Sequence, residues 1–400
     1  MTNSILTINT GSSSLKAALY RAGPPETLAF AVNVERIGQS GSRLRISNDQ
    51  GVTLFERNED LASHAAALHA LFDWLGTEGH GQSLAAIGHR VVHGGSHYTV
   101  PRLIDAEVIQ GLRELVTIDP DHLPQAITGI EAAEERYPAV PQVACFDTTF
   151  HRQMPRVAQI YPLPSDLGEA GLIRYGFHGL SYESIMDKLR REAPVAADGR
   201  VIIAHLGNGA SMAAVRTGVG IDTTMGFTPT GGLVMGTRSG DLDPGVLLYL
   251  LQSRGMSPAA LNKLVNHQAG LIGVSGTSAD MRDLLGREAT DPRAALAVDL
   301  FCYQARKFLG ALTAALGGLD TLIFTAGIGE HAAPVRQRIC ADLEFLGIQL
   351  DPARNAAHRP IISRENSSVV VRVMKTDEDL MIARHTRHLV LEQGGSSVSV

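Results

Sequence analysis

The segment Asn9-Thr10-Gly11-Ser12-Ser13-Ser14, with Lys16 beyond it, gathers small residues, hydroxyl donors and free backbone N–H groups. A phosphate asks for that combination, because its oxygens must be approached closely by many donors. The same residues also suit a plain polar hairpin turn, and no GxxxxGK[ST] P-loop occurs in the chain. Ser13 and Lys16 match the SxxK of serine acyl-enzymes, but that serine opens a helix, whereas strand-forming residues flank this one and no SDN or KTG accompanies it. Two more glycine turns follow β-type apolar runs: His205-Leu206-Gly207-Asn208-Gly209 and Gly327-Ile328-Gly329-Glu330. In such turns backbone approaches a phosphate or a nucleoside with no Cβ in the way.

The charged candidates sit at the ends of apolar runs. Arg238, in MGTRSGDLDP, stands in a small-residue loop before a helix signal, suited to bidentate capture of a carboxylate or phosphoryl group or to a pairing with Asp241. Arg90, in HRVVHGG, ends a strand-like run. Its neighbours His89 and His93 make a poor metal pair on a strand and read as packing or hydrogen-bonding residues. Asp147 ends the next apolar run, where α/β proteins place ligands, although a helix N-cap is the plainer reading. His178, in YGFHG, offers an imidazole on a rigid turn, or simply a satisfied loop histidine. Asp377, Glu378 and Asp379 precede a helix, where acids are favoured by the macrodipole.

What positions these residues is an alternation of strands and helices. Ile5–Tyr20 and Val201–Val215 each read as strand, glycine turn, strand, and lie about 200 residues apart. That spacing means duplicated domains rather than a solenoid. Ala85–His93 and Val140–Phe146 read as buried strands. Helices are expected over 61–75, 105–115, 124–136, 244–253, 258–266, 280–285, 292–316 and 378–391. The expected class is α/β with mixed sheets. The expected division is residues 1–150, completed by a C-terminal helix within 380–400, and residues 151–379.

The 400 residues, 44 % hydrophobic and 19 % charged, describe an ordinary globular protein. A net charge of −6 with no basic stripe excludes a nucleic-acid surface. Three widely spaced cysteines form no CxxC pair and fit a reducing compartment. The N-terminus lacks a signal-peptide pattern, and the longest apolar stretch, Phe308–Leu319, is too short to span a bilayer. A cytoplasmic protein without membrane partners is expected.

Taken in order, INTGSSSLK, GHRVVHGG, FDTTFH, YGFHG, HLGNGAS, DTTMGFTP, MGTRSGDLDPG, SGTSADMR, FTAGIGE and TDEDLMIAR resemble the acetate kinases, the acetokinase family, essentially end to end. The resemblance implies two actin-like (ribonuclease H-like) domains with mixed sheets flanked by helices, a cleft for MgATP between them, and a homodimer. It implies reversible, direct in-line transfer of the ATP γ-phosphate to the carboxylate of a short-chain acid. Carried over by position, Asn9 and Glu378 are associated with Mg²⁺, or Mn²⁺ in its place. Lys16, Ser12, His205, Leu206, Gly207, Asn208, Gly209, Asp280, Met281, Arg282, Gly327, Ile328, Gly329, Glu330 and His331 surround ATP or ADP. Arg90 matches the carboxylate-binding arginine, and Val92, Phe177 and Pro229 the acyl pocket. Arg238, His178 and His122 match residues holding the phosphoryl group in flight, and Asp147 the catalytic acid.

Such chemistry needs no general base, since a small carboxylic acid with a pKa of about 4 to 5 is already anionic at neutral pH. Alignment and relief of anion repulsion are what the protein must supply, so Asp147 is expected to orient Arg238 or the waters on magnesium. The chain departs from the family at Leu180 (usually Thr), Tyr182 (usually His), Gly231 (usually Glu), His331 (usually Asn) and Asp121 (usually Leu). The last of these, with His122 as its nearest candidate donor, bears on the acyl pocket. A propionate or butyrate kinase, a sugar kinase and a non-catalytic actin-like ATPase are the rival readings. A sugar kinase would need a carboxylate base facing a hydroxyl, and an ATPase switch would have no use for Arg90, Arg238 and His178 together.

Overall fold

The computed structural model describes residues 3–11 and 13–393, so Ser12, one of the expected nucleotide contacts, lies outside them. The chain divides into two compact units: Met1–Thr149 with Asp377–Val400, and Phe150–Thr376.

The first unit is built on the hairpin of β1 (Ser4–Thr10) and β2 (Ser14–Arg21), whose register sets Asn9 opposite Lys16. Three antiparallel strands extend it: β3 (Thr27–Glu35), β4 (Ser42–Asn48) and β5 (Thr53–Glu59). The sequence reading passed over them. β3 (TLAFAVNVE) is itself an apolar run, and β4 carries strict alternation, with Leu44 and Ile46 inward and Arg43 and Arg45 outward. β5 is largely exposed and too polar to read as a buried strand. On the other side β6 (Leu84–Val91) and β8 (Gln142–Phe146) run parallel to β1, with the short β7 (Arg102–Leu103) at the edge. The strand order is β5-β4-β3-β2-β1-β6-β8-β7.

β1 is buried along its whole length, since both its edges are paired and both its faces covered. Leu6 and Ile8 join a core with the helix His64–Thr77 (Leu68, Leu71, Phe72) and with Ala132 and Ala133 of the helix Leu123–Arg136. Ile5, on the opposite face, packs with Ala18, Tyr20, Ala86 and Ala383 of the helix Glu378–Arg387. The two-residue period of a strand therefore turns Thr7 and Asn9 toward that C-terminal helix. Glu26, almost fully buried, anchors the helix through Arg384 (3.2 Å) and Arg387 (2.5 Å). Asp377, Glu378 and Asp379, left with the second half by the sequence reading, thus belong to the first unit. The helix ends at Arg387 and passes into a π-helical stretch, His388–Gln393, where one α-helix to Leu391 was expected.

The second unit repeats the plan. β9 (Arg200–Leu206), β10 (Ala210–Arg216) and β11 (Val219–Thr223) are antiparallel, and β12 (Thr321–Thr325) and β13 (Val370–Val373) continue from β9 in parallel. The order β11-β10-β9-β12-β13 matches β3-β2-β1-β6-β8 in sequence and sense, which is the duplication that the paired hairpins implied. The helix Pro292–Leu316 covers this sheet. Asp291 caps its start, proline opens it, and Gly317 in the left-handed region closes it. One expectation fails here: Gly327–Glu330 is no open turn but lies inside the helix Ala326–His331, entered through Ala326 at φ +63°.

Two buried histidines give the fold a pH dependence. His89 on β6 bonds Gln142 of β8 at 2.6 Å, and His151 bonds the Phe177 carbonyl at 3.0 Å. Burial lowers both imidazoles from 6.5 to about 4. A depressed histidine stabilises fully above its unfolded pKa and loses that contribution as pH falls toward the folded one. The melting temperature should therefore drop between pH 6.5 and 4, and His89→Gln should flatten that slope; an unchanged slope would show that His89 is not held neutral.

Candidate active site

In the first unit the acids at the start of the C-terminal helix, its N-cap Asp377 and first-turn Glu378 and Asp379, are each bound by the N-terminal hairpin. Thr7 Oγ1 donates to Asp379 (3.2 Å), Asn9 Nδ2 to Glu378 (3.3 Å) and Tyr20 Oη to Asp377 (3.3 Å). Asn9 Oδ1 accepts from Arg90 Nη1 at 3.1 Å, and Arg90 grips Asp147 through Nε (3.1 Å) and Nη2 (2.5 Å). Glu378, Asn9, Arg90 and Asp147 therefore form one connected row at the ends of β1, β6 and β8. Burial works against the Arg90 charge, but Asp147, Glu378 and Asp379 more than offset it, so its pKa is raised. Burial and the charges of Glu378 and Asp377 push the Asp379 carboxyl up to about 6, while nearby Lys16 and Thr7 pull it back.

Among the described residues no group of three or more His, Cys, Asp or Glu is arranged to hold a metal ion. Magnesium binds proteins through one or two carboxylates and takes water and phosphate oxygens for the rest, and Glu378 among neighbouring acids fits that habit. Asn9 spends its oxygen on Arg90 and its nitrogen on Glu378, so it orients the carboxylate. His122 occupies the N-cap position of the helix Leu123–Arg136, and its Nδ1 bonds buried Asp119 at 2.7 Å. Val92 is buried in this unit.

In the second unit His178 begins the helix Gly179–Glu192 from the left-handed region, at φ +58°. Its ring stacks on that of His205 at 4.1 Å, each ring held by a serine at 2.8 Å: Ser211 for His178 Nδ1 and Ser181 for His205 Nδ1. Arg238 Nη1 donates to the Pro229 carbonyl at 3.2 Å. A Cβ on Gly209 would stand 3.3 Å from His178 Nε2 and 3.6 Å from Arg238 Nη1. Imidazole and guanidinium thus both face the glycine turn between β9 and β10. Phe177 and Pro229 are buried beside them in sequence.

The loop carrying Arg238 is fixed mainly by backbone hydrogen bonds, with Thr237 Oγ1 donating to the Asn266 carbonyl at 2.8 Å as well. Gly236 N bonds Asn208 O at 2.9 Å, Ser239 N bonds Val265 O at 2.9 Å, Leu271 N bonds Met235 O at 2.8 Å and Ile272 N bonds Gly236 O at 3.0 Å. Gly270, which the sequence reading missed, makes this possible: at φ +64° its absent Cβ would lie 2.2 Å from Met235 O and 2.6 Å from Arg238 O.

A cavity of about 590 Å³ in the same unit is lined by Gly207, Asn208, Asp280, Met281, Arg282, Gly327, Ile328 and His331, all expected around a nucleotide. Ala279, Leu285, Ala332 and Pro334 line it too; Leu285, one helical turn from Met281, was within reach of a periodicity argument. Met281, Leu285, Ile328 and Pro334 make an apolar slot fit for a flat ring, with Asp280 and Arg282 paired at 2.7 Å. His205, Leu206, Gly209, Gly329 and Glu330 do not line it. Leu206 is buried in β9, and Gly329 packs against it. Behind them Arg336, fully buried and also missed, donates to the carbonyls of Gly329 (2.8 Å) and Glu330 (2.9 Å) and to Asn355 (2.8 Å). Burial lowers its pKa to about 10.

Gly270→Ala should destabilise the protein by ~2 kcal/mol or more, because the added methyl meets backbone and the φ is strained. Gly310→Ala, mid-helix with open space around it, should instead add ~1 kcal/mol. Thermal melts of the two variants decide this; a neutral Gly270→Ala would mean that the Arg238 loop is not fixed by this packing.

The acetokinase family profile matches residues 4–384. The acetate kinase of Rhodopseudomonas palustris is 46 % identical over 395 residues, which cover 97 % of this chain and 99 % of that protein. Among solved structures, Porphyromonas gingivalis acetate kinase aligns with a TM-score of 0.86 at 37 % identity, over 97 % of this chain and 100 % of that one. A propionate kinase from Francisella tularensis aligns with a TM-score of 0.90 at 35 % identity, over 96 % and 99 %. With its profile matched from β1 into the C-terminal helix, and relatives alike over nearly their full length, the chain belongs to the acetokinase family.

Proposed function

We propose that this enzyme reversibly transfers the γ-phosphate of ATP to the carboxylate of acetate, giving acetyl phosphate and ADP. The observation that carries this reading is the convergence of His178 Nε2 and Arg238 Nη1 on Gly209, in a chain whose relatives are acetate kinases. Donors set beside a glycine turn suit the equatorial oxygens of a phosphoryl group in flight, where preorganised charge is worth most.

The acid arrives as an anion and attacks without losing a proton, so the protein's work is to hold two anions in line. Arg90 is the carboxylate holder. Asp147 and Asn9 occupy three of its five N–H groups, leaving one on each terminal nitrogen for the substrate. Asp147 keeps that guanidinium oriented and charged. The slot of Met281, Leu285, Ile328 and Pro334 takes the base of the nucleotide. Glu378, oriented by Asn9, would hold Mg²⁺ or Mn²⁺, which supplies neutralisation of phosphate charge.

Among the described residues no helix is long and apolar enough to cross a membrane. Three widely spaced, buried cysteines with no CxxC pair suit a cytoplasmic enzyme. The helix Pro244–Gln252 (PGVLLYLLQ) buries none of its side chains, and Leu248 and Tyr249 are more than half exposed. So apolar a face is suited to a second copy of the chain, as a homodimer. Tyr249→Glu should then shift the mass in sedimentation from dimer to monomer; a wild-type monomer would remove the proposal.

A coupled assay of ADP release across acetate, propionate, butyrate and glycolate tests the reaction, and acetate should give the highest kcat/KM. Arg238→Ala should lower kcat by ~10²–10³-fold with little loss of stability. Arg90→Ala should cost stability as well, by ~3–5 kcal/mol, because it leaves Asp147 buried without its partner. Glu378→Ala should raise the Mg²⁺ needed for half-maximal rate while leaving KM for acetate nearly unchanged. An unaltered metal titration would return Glu378 to a helix-start role.

A further inference from the structure

We propose that Tyr182, where the family usually has histidine, is a positioning residue that fixes the protonation of His178 through Ser211. The inference rests on the reading of His178 as a donor to the phosphoryl group. Ser211 Oγ, fully buried on β10, touches both the His178 Nδ1 (2.8 Å) and the Tyr182 hydroxyl. A serine hydroxyl has one proton to give and can accept two, but among the described residues Ser211 Oγ meets no third partner. A buried hydroxyl proton left without an acceptor is costly, so the two contacts run in opposite senses along the chain of three groups.

The chemistry of the groups chooses the direction. A phenol, with an ordinary pKa near 10, is a better donor and a poorer acceptor than an aliphatic alcohol. Tyr182 therefore donates to Ser211, and Ser211 donates to His178 Nδ1. An imidazole that accepts at Nδ1 carries its proton on Nε2. That is the nitrogen facing Gly209 beside Arg238 Nη1. The opposite direction would put the proton on Nδ1 and leave a bare lone pair toward the phosphoryl oxygens, an acceptor where a donor is needed. Tyr182 is itself held rigidly: it is fully buried, with its ring against Phe150, His151 and His205. The three-group chain is thus set before substrate arrives, as outer-shell partners set a metal-binding histidine.

The test is Tyr182→Phe, which removes the hydroxyl and keeps the ring, compared with Ser211→Ala and the double variant. Each single change should lower kcat about tenfold, within the range for loss of an outer-shell hydrogen bond, with KM for acetate and ATP nearly unchanged. The double variant should be no slower than Ser211→Ala alone, because both act through one hydrogen bond to Nδ1. Selective ¹⁵N-histidine labelling, with the signal of His178 assigned by His178→Asn, reads the tautomer directly. Wild type should show an unprotonated Nδ1, and Tyr182→Phe a mixture of tautomers. An unchanged tautomer in Tyr182→Phe, or a rate loss that simply adds in the double variant, overturns the proposal. A shifted tautomer together with full turnover in His178→Asn would uphold the relay and overturn only the assigned role of His178.

Discussion

Arg90 imposes the central constraint on the first unit. A guanidinium cannot shed its charge, and one withdrawn from water must be surrounded by acids and oxygen acceptors or the fold will not hold it. Here Asp147 and Asn9 supply the contacts, and Glu378 and Asp379 the longer-range field. Each comes from a different part of the chain: β1, the end of β8, and a helix that follows 369 residues after Asn9. The hairpin, the parallel strands and the C-terminal helix are therefore tied together by one cation. The same surroundings keep that cation charged. Under the proposed function, stability and catalysis would draw on the same ionic contacts, and Asp147 would serve the site without accepting a proton.

The second unit solves a related problem with backbone. Arg238 stands on a loop with no regular secondary structure, yet hydrogen bonds to the Asn208 and Val265 carbonyls and from the Leu271 and Ile272 amides leave that loop little freedom. Precision in a loop usually costs rigidity elsewhere. Here Gly270 meets that cost by allowing two backbones to touch.

Much of this was legible in the sequence, and the reasons differ by element. The hairpins were plain because apolar runs flank glycine turns, and the long helix because Asp291, Pro292 and Gly317 mark both its ends. β4 was missed because exposed arginines dilute its alternation, and β5 because it is largely exposed and polar. The chemistry-bearing residues could be named from motif and resemblance, but their partners could not. Nothing local joins Thr7, Asn9 and Tyr20 to three consecutive acids near the other end of the chain. Arg336 and Gly270 were invisible for the same reason, since their meaning lies in carbonyls brought close only by folding.

The split composition of the first unit also has a consequence for biosynthesis. The second unit is one continuous stretch, Phe150–Thr376, whereas the first waits for Asp377 onward. At translation speeds of roughly 5–20 residues per second, β1 leaves the ribosome tens of seconds before the helix that covers it. During that interval Ile5, Ala18, Tyr20 and Ala86 lack their cover of Ala383, and Asn9 lacks Glu378. The later unit can finish folding while the earlier one still lacks its covering helix. A nascent chain cut short before Ala383 would keep that apolar face uncovered.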